Sequence, residues 1–123
     1  MTSGTTVRPH YRLEAWKQAM GLVQAVYEVS AVFPRSELYG LTAQMRRAAV
    51  SVPSNLAEGA ARRGAKEYSQ YLNVARGSLS ELETQLLIAA NLGYLERKNG
   101  IFELLETVSR LITGLHRKIL RDC

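Results

Sequence analysis

Basic side chains are concentrated in two parts of this sequence. Six cations and two acids lie between Arg35 and Lys66, and three more cations lie near the end of the chain. Clustered cations bind the phosphates of nucleic acids and release counterions when they do so. An ordinary solvated basic surface is the alternative interpretation. The candidate phosphate contacts are Arg46, Arg47, Arg62, Arg63, Lys66, Arg117, Lys118 and Arg121.

Polar side chains also recur at helical spacing, and they form two rows that lie beside apolar positions. If the rows meet, they form a hydrogen-bonded network that fixes helix register or partner choice. The alternative is a solvated helix face with one ion pair between Glu58 and Arg62, four residues apart. The predicted network consists of Gln44, Ser51, Asn55 and Glu58 in the first row and Ser78, Glu81 and Gln85 in the second.

Catalytic and metal-binding patterns are missing from the sequence. Neither His10 nor His116 follows a glutamate by three residues, the spacing that di-iron sites in helix bundles use. The lone cysteine, Cys123, forms no grouping with histidine and an acid, and the glycines form no phosphate-binding loop. We therefore expect no enzymatic activity, no metal and no cofactor. An enzyme built in a bundle core is the least favoured hypothesis.

Four windows of apolar residues, spaced three and four apart, must position these side chains. Such spacing predicts four amphipathic helices, each with one apolar face. The four faces comprise Leu13, Trp16, Met20, Val23 and Tyr27; Leu41, Met45, Ala48, Val52 and Leu56; Tyr68, Leu72, Ala75, Leu79, Leu82, Leu86 and Ala89; and Ile101, Leu105, Val108, Ile112, Leu115 and Ile119.

The second window contains a proline, Pro53, which leaves two interpretations open. Either one helix ends near Val52 and another begins at Pro53, or a single helix continues with a kink. The apolar period holds its phase across Pro53, which favours one kinked helix. Because the connections are too short for crossovers, we predict an all-α, antiparallel, up-down-up-down four-helix bundle over residues 11–121. A flexible tail over residues 1–10 precedes it.

Composition limits the classes of protein that remain. The chain has 123 residues, enough for one domain, and a formal charge of +5. It lacks a signal-peptide pattern and any apolar run long enough for a membrane span, so we expect a cytoplasmic protein. Apolar residues outside the four faces predict a homo-oligomer interface. These residues are Leu38, Val50, Leu87, Ile88 and Leu95.

Four segments together carry a family pattern. They are Trp-Lys-Gln-Ala at 16–19, Phe-Pro at 33–34 with Tyr-Gly-Leu-Thr-Ala-Gln at 39–44, the run from Arg-Arg to Glu-Gly at 46–59, and residues 75–85. Over residues 13–120 the chain resembles the four-helix-bundle family associated with intervening sequences in bacterial 23S ribosomal RNA. The resemblance implies an antiparallel bundle that assembles into a ring, a homopentamer, with an RNA-related role and no enzymatic activity. The fold is also similar to the basic pentameric accessory proteins of diversity-generating retroelements.

The sequence and the resemblance lead to one favoured function and one alternative. The favoured function is a non-enzymatic, oligomeric protein that binds structured RNA, with the listed cations on phosphate and the polar network as scaffold. Such contacts position RNA without reading its sequence. The alternative is a protein-interaction module whose ring binds a partner protein through its basic or apolar surface.

Overall fold

Four α-helices account for most of the chain in the computed structural model, which describes residues 7–122. Predictions for residues 1–6 and for Cys123 lie outside the described residues. The helices are α1 (Glu14–Ser30), α2 (Leu41–Ala60), α3 (Ala65–Asn91) and α4 (Ile101–Arg121). Short 3-10 helices cover Pro9–Arg12 and Arg35–Glu37, and residues 7–122 contain no strand. The predicted all-α class is confirmed.

The helices pack in a closed cycle. α1 contacts α2, α2 contacts α3, α3 contacts α4, and α4 contacts α1, with α2 and α3 sharing the most extensive contact. Their buried side chains form one continuous apolar core. The predicted faces of α2, α3 and α4 supply it, with only Leu41, Tyr68, Leu115 and Ile119 partly buried. This packing is consistent with a bundle.

The apolar face predicted for α1 is not the face that enters the core. Ala15, Ala19, Leu22 and Val26 are buried there instead, on a stripe one position away. Trp16 and Val23 of the predicted face are partly buried, while Met20 and Tyr27 are 47% and 44% exposed. α1 therefore has two apolar stripes. Its small alanines allow close packing in the core, and its larger side chains lie on the outer surface beside α2.

Helix α2 continues without a break through Pro53, which is buried. The interpretation with two separate helices is therefore wrong. Proline removes one backbone hydrogen bond and crowds the preceding turn, so tertiary packing must offset a cost of about 3 kcal/mol. Val52 and Leu56, on either side of Pro53, are fully buried and supply that packing.

Two connections meet at one end of the bundle. Gly93 ends α3 in the left-handed region, with φ of 82°, and the next N–H, that of Tyr94, donates to the carbonyl of Ala89 at 2.9 Å. The Tyr94 hydroxyl donates to Glu37 Oε2 at 3.1 Å, and this hydrogen bond is the main reason that the pKa of Tyr94 is raised. The α1–α2 connection is thereby joined to the α3–α4 connection.

Within the described residues, no helix combines the length and the apolar character that a membrane crossing requires.

Helices α2 and α3 approach each other most closely at Gly59. A Cβ atom added there would lie 2.9 Å from Tyr71 Cβ and 3.0 Å from Tyr68 Cδ1. The first contact is with the base of a side chain, which cannot move unless the backbone of α3 moves. Glycine at position 59 therefore sets the spacing of the two helices.

We expect Gly59→Ala to lower the free energy of unfolding by about 1–2 kcal/mol, because overpacking outweighs the better helix propensity of alanine. The matched control is Gly21→Ala in α1, where an added Cβ meets nothing within 4 Å. That variant should gain about 0.5–1 kcal/mol. Denaturant unfolding of both variants measures the difference, and equal stabilisation of the two would contradict the close approach.

Candidate nucleic-acid interface

A basic cavity lies where the α2–α3 turn meets the last turns of α4. α2 ends at Ala60 and α3 begins at Ala65, so the turn presents two adjacent arginines beside the end of α4. The cavity has a volume of about 540 Å³. Its walls are formed by Arg62, Arg63, Gly64, Ala65, Tyr68, Leu115, Lys118, Ile119 and Asp122. The predicted proximity of the turn cations to the cations of α4 is thus realised for three of them.

Arg62 is held in place by two neighbours. Its Nη2 atom lies 2.9 Å from Glu58 Oε2 and donates to the Tyr71 hydroxyl at 2.7 Å. The guanidinium also lies over the Tyr71 ring, 4.8 Å from its centroid. Tyr71 first, and Glu58 after it, raise the pKa of Arg62, while burial opposes them. The predicted Glu58–Arg62 ion pair forms, so this arginine is fixed and its charge is already compensated.

Arg63 and Lys118 differ from Arg62 because both are exposed and neither has an ion-pair partner within residues 7–122. Lys66 and Arg117 are exposed too, but they do not line the cavity. Arg121 lies outside it as well, with its Nε atom 3.8 Å from Asp122 Oδ1. The cations that the cavity brings together are therefore Arg62, Arg63 and Lys118.

Arg46 and Arg47 belong to a different surface. They precede the cavity arginines by 16 positions, which corresponds to roughly 20 Å along the helix axis. Arg46 donates from Nε to Ser30 Oγ at 3.0 Å and lies 4.6 Å from the centre of the Tyr27 ring. The single basic surface of the sequence prediction is thus divided between two regions.

The predicted polar network is present only in part. Ser51 Oγ on α2 lies 2.7 Å from Ser78 Oγ on α3, so the two hydroxyls share a hydrogen bond across the helices. Asn55 Nδ2 donates to the Ser51 carbonyl at 2.8 Å and to its hydroxyl at 3.0 Å. Gln44 and Glu81 line a groove of about 490 Å³ beside this group, together with Arg47, Ala48, Ser51 and Ser78.

Gln85 lies apart from that network although it is on the same row. Its side chain is 6% exposed, and its Oε1 atom has no hydrogen-bond partner within the described residues. A buried polar atom without a partner costs about 1–3 kcal/mol. The seven predicted residues thus divide into a bonded serine–asparagine group, a Glu58 that pairs with arginine, and a Gln85 that destabilises the monomer.

One polar contact was not anticipated from the sequence. His116 on α4 lies with Nε2 2.6 Å from Ser69 Oγ and Nδ1 3.2 Å from Arg76 Nη1. Because arginine only donates, Nδ1 must accept, and Nε2 carries the hydrogen that is donated to Ser69. These contacts join α3 to α4. Their partners are 47 and 40 residues apart in sequence, so no local spacing signals them.

No three histidine, cysteine, aspartate or glutamate side chains converge on a metal-sized site between residues 7 and 122.

The Ser51–Ser78 hydrogen bond has a measurable energy. In a double-mutant cycle of Ser51→Ala and Ser78→Ala, we expect a coupling energy of about 0.5–1.5 kcal/mol, because each single change leaves the other hydroxyl without its partner. Thr84→Ala serves as a control, since that hydroxyl bonds the carbonyl of Ser80 in its own helix. Denaturant unfolding gives the energies. Strictly additive single changes would show that the two hydroxyls do not interact.

Comparison with known proteins agrees with this four-helix architecture. The family described as 23S rRNA-intervening sequence protein matches residues 11–114, which include all of α1, α2 and α3 and the larger part of α4. No curated protein matches the chain. The match extends over most of the sequence, and the chain belongs to the 23S rRNA-intervening sequence protein family.

Proposed function

We propose that this chain is a non-enzymatic, homo-oligomeric, cytoplasmic protein that binds structured RNA through the basic cavity. The observation that carries the proposal is the convergence of Arg62, Arg63 and Lys118 on one concave surface. Phosphate contacts of this kind supply affinity without sequence preference. The description of the family, which names 23S rRNA, supports RNA as the nucleic acid.

The proposal includes an antiparallel bundle in which α2 bends at Pro53. Ser51 and Ser78 share a hydrogen bond, and eight residues later along α2, Gly59 lies against Tyr71, which is seven residues earlier along α3. This order is that of two helices running in opposite directions. The lost hydrogen bond and the crowding at Pro53 are the usual causes of a bend in a continuous helix.

The homo-oligomer is proposed to form on the outer face of α1 and α2, which remains apolar in the monomer. Two grooves lie there, of about 520 Å³ and 360 Å³, and Val50 lines both. Tyr39, at 93% exposed, and Met20 contribute further apolar surface. Surface of this kind in a small domain marks an interaction site.

A second copy is the occupant that charge complementarity favours. Arg46 and Arg47 line one of the α1–α2 grooves, whereas the exposed carboxylates of Glu83 and Glu106 line a groove between α3 and α4. Contact between two different faces of one chain is heterologous, and it closes into a ring when the rotation per subunit allows. We propose five subunits, the number that the family resemblance implies.

RNA binding through the cavity is tested by removing its two uncompensated cations. For Arg63→Gln with Lys118→Gln, we expect weaker binding and a salt slope smaller by about 1.4, at about 0.7 for each contact with a single strand. The measurement is a salt series with a structured RNA whose ends are dephosphorylated, in the presence of competitor RNA.

The matched control for that experiment is Lys17→Gln with Arg110→Gln. It removes the same charge from exposed positions on α1 and α4, outside the cavity. An equal loss of affinity in both double variants would mean that net charge alone governs binding. If the wild type loses all binding near 150 mM salt, the basic surface is generic and the proposal fails.

Assembly is tested at Val50. We expect Val50→Asp to shift the protein to the mass of a monomer in sedimentation or light scattering, because it places a charge within the apolar contact. Val32→Asp is the control, since Val32 is 82% exposed and lines neither groove. If Val50→Asp assembles as the wild type does, the interface is elsewhere. A monomeric wild type that retains a protein after nuclease treatment would favour the interaction-module alternative.

A further inference from the structure

We propose that the cavity between the α2–α3 turn and α4 binds the terminal phosphate monoester of an RNA strand, with the terminal base against its apolar wall. This inference rests on the proposed function, that the chain binds RNA, and it specifies which part of the RNA the cavity takes.

The charges around the cavity match one dianion. Arg62 is compensated by Glu58 at 2.9 Å, and Asp122 is compensated by Arg121 at 3.8 Å. Two positive charges then remain, those of Arg63 and Lys118. A phosphate monoester carries about 1.5 to 2 negative charges and three acceptor oxygens at neutral pH, whereas each phosphate within a strand carries one charge. The cavity is therefore better matched to a strand end than to an internal phosphate.

The apolar part of the cavity suits a base. Tyr68, Leu115 and Ile119 are each partly buried and supply an aromatic ring and two aliphatic side chains beside the cations. Bases stack on such surfaces without sequence preference. Burial raises the pKa of Tyr68, so its phenol stays neutral at physiological pH and does not repel phosphate. The volume of about 540 Å³ falls within the range of small-ligand pockets, about 300–1,000 Å³.

The position of Asp122 also favours a strand end. Asp122 is the single acid among the described residues that line the cavity. A strand continuing in both directions would bring a further phosphate past this carboxylate, which repels it. A strand that ends in the cavity needs to leave in one direction only, so it avoids this repulsion.

The decisive experiment compares one single-stranded RNA sequence in three forms: with a 5′-phosphate, with a 3′-phosphate, and with hydroxyl groups at both ends. Dissociation constants are measured at physiological salt with the full-length protein. We expect one phosphorylated form to bind about tenfold more tightly than the hydroxyl form, the gain typical of hydrogen bonds to a charged group. Equal affinity for all three forms would overturn the inference and leave the proposed function intact. Absence of binding to every form would overturn both.

Variants locate the preference within the structure. Arg63→Gln with Lys118→Gln should make the affinities for phosphorylated and hydroxyl RNA equal, while Lys17→Gln with Arg110→Gln should keep the tenfold ratio. All four positions are exposed, so the fold should survive, and circular dichroism checks this. A ratio that persists in the Arg63–Lys118 double variant would place the terminal phosphate outside this cavity.

A free nucleotide has the same chemistry as the end of a strand, and a competition arm separates the two. Adenosine 5′-monophosphate is titrated against the labelled, phosphorylated RNA. We expect it to compete only at concentrations far above the dissociation constant of that RNA, because the rest of the strand adds contacts of its own. Competition at the same concentration as the RNA would identify a mononucleotide site and overturn the strand-end inference.

Discussion

The close contact between α2 and α3 is the constraint on which the rest of the structure depends. At Gly59 there is no room for a side chain, and at Ser51 and Ser78 two small hydroxyl side chains meet directly. Small residues let helices approach, and hydrogen-bonded hydroxyls avoid the cost of burying unpaired polar atoms. This contact is also the most extensive one in the bundle. The register of α2 against α3 is thus fixed at two points along the same seam.

That register determines where the basic cavity forms. Because Gly59 lies against Tyr68 and Tyr71, α2 ends one turn later with Arg62 over the Tyr71 ring. The α2–α3 turn is short, so Arg63 follows at once beside the wall that Tyr68 forms. A shift of one residue between the helices would turn Arg62 away from both Glu58 and Tyr71. The geometry of the site is therefore a consequence of packing at one glycine.

Helical periodicity predicted most of the fold but failed where one helix has two apolar stripes. α2, α3 and α4 each have a single stripe, and its members are buried or partly buried. In α1 the larger side chains, including Met20 and Tyr27, mark the outer stripe, while the core stripe begins with the small Ala15 and Ala19. Spacing alone cannot rank two stripes of one helix, because the choice depends on the volume that the neighbouring helices leave free.

The candidate site shows the same limit for charge. A formal charge of +5 and a run of eight cations do not distinguish arginines that bind the protein itself from those that remain available. Arg46 bonds to Ser30, Arg62 pairs with Glu58, and Arg121 lies beside Asp122. The partner of Arg46 is sixteen residues away, beyond the reach of any local pattern. Since a compensated cation adds little attraction for phosphate, the electrostatic field at the cavity depends on Arg63 and Lys118 far more than on the net charge.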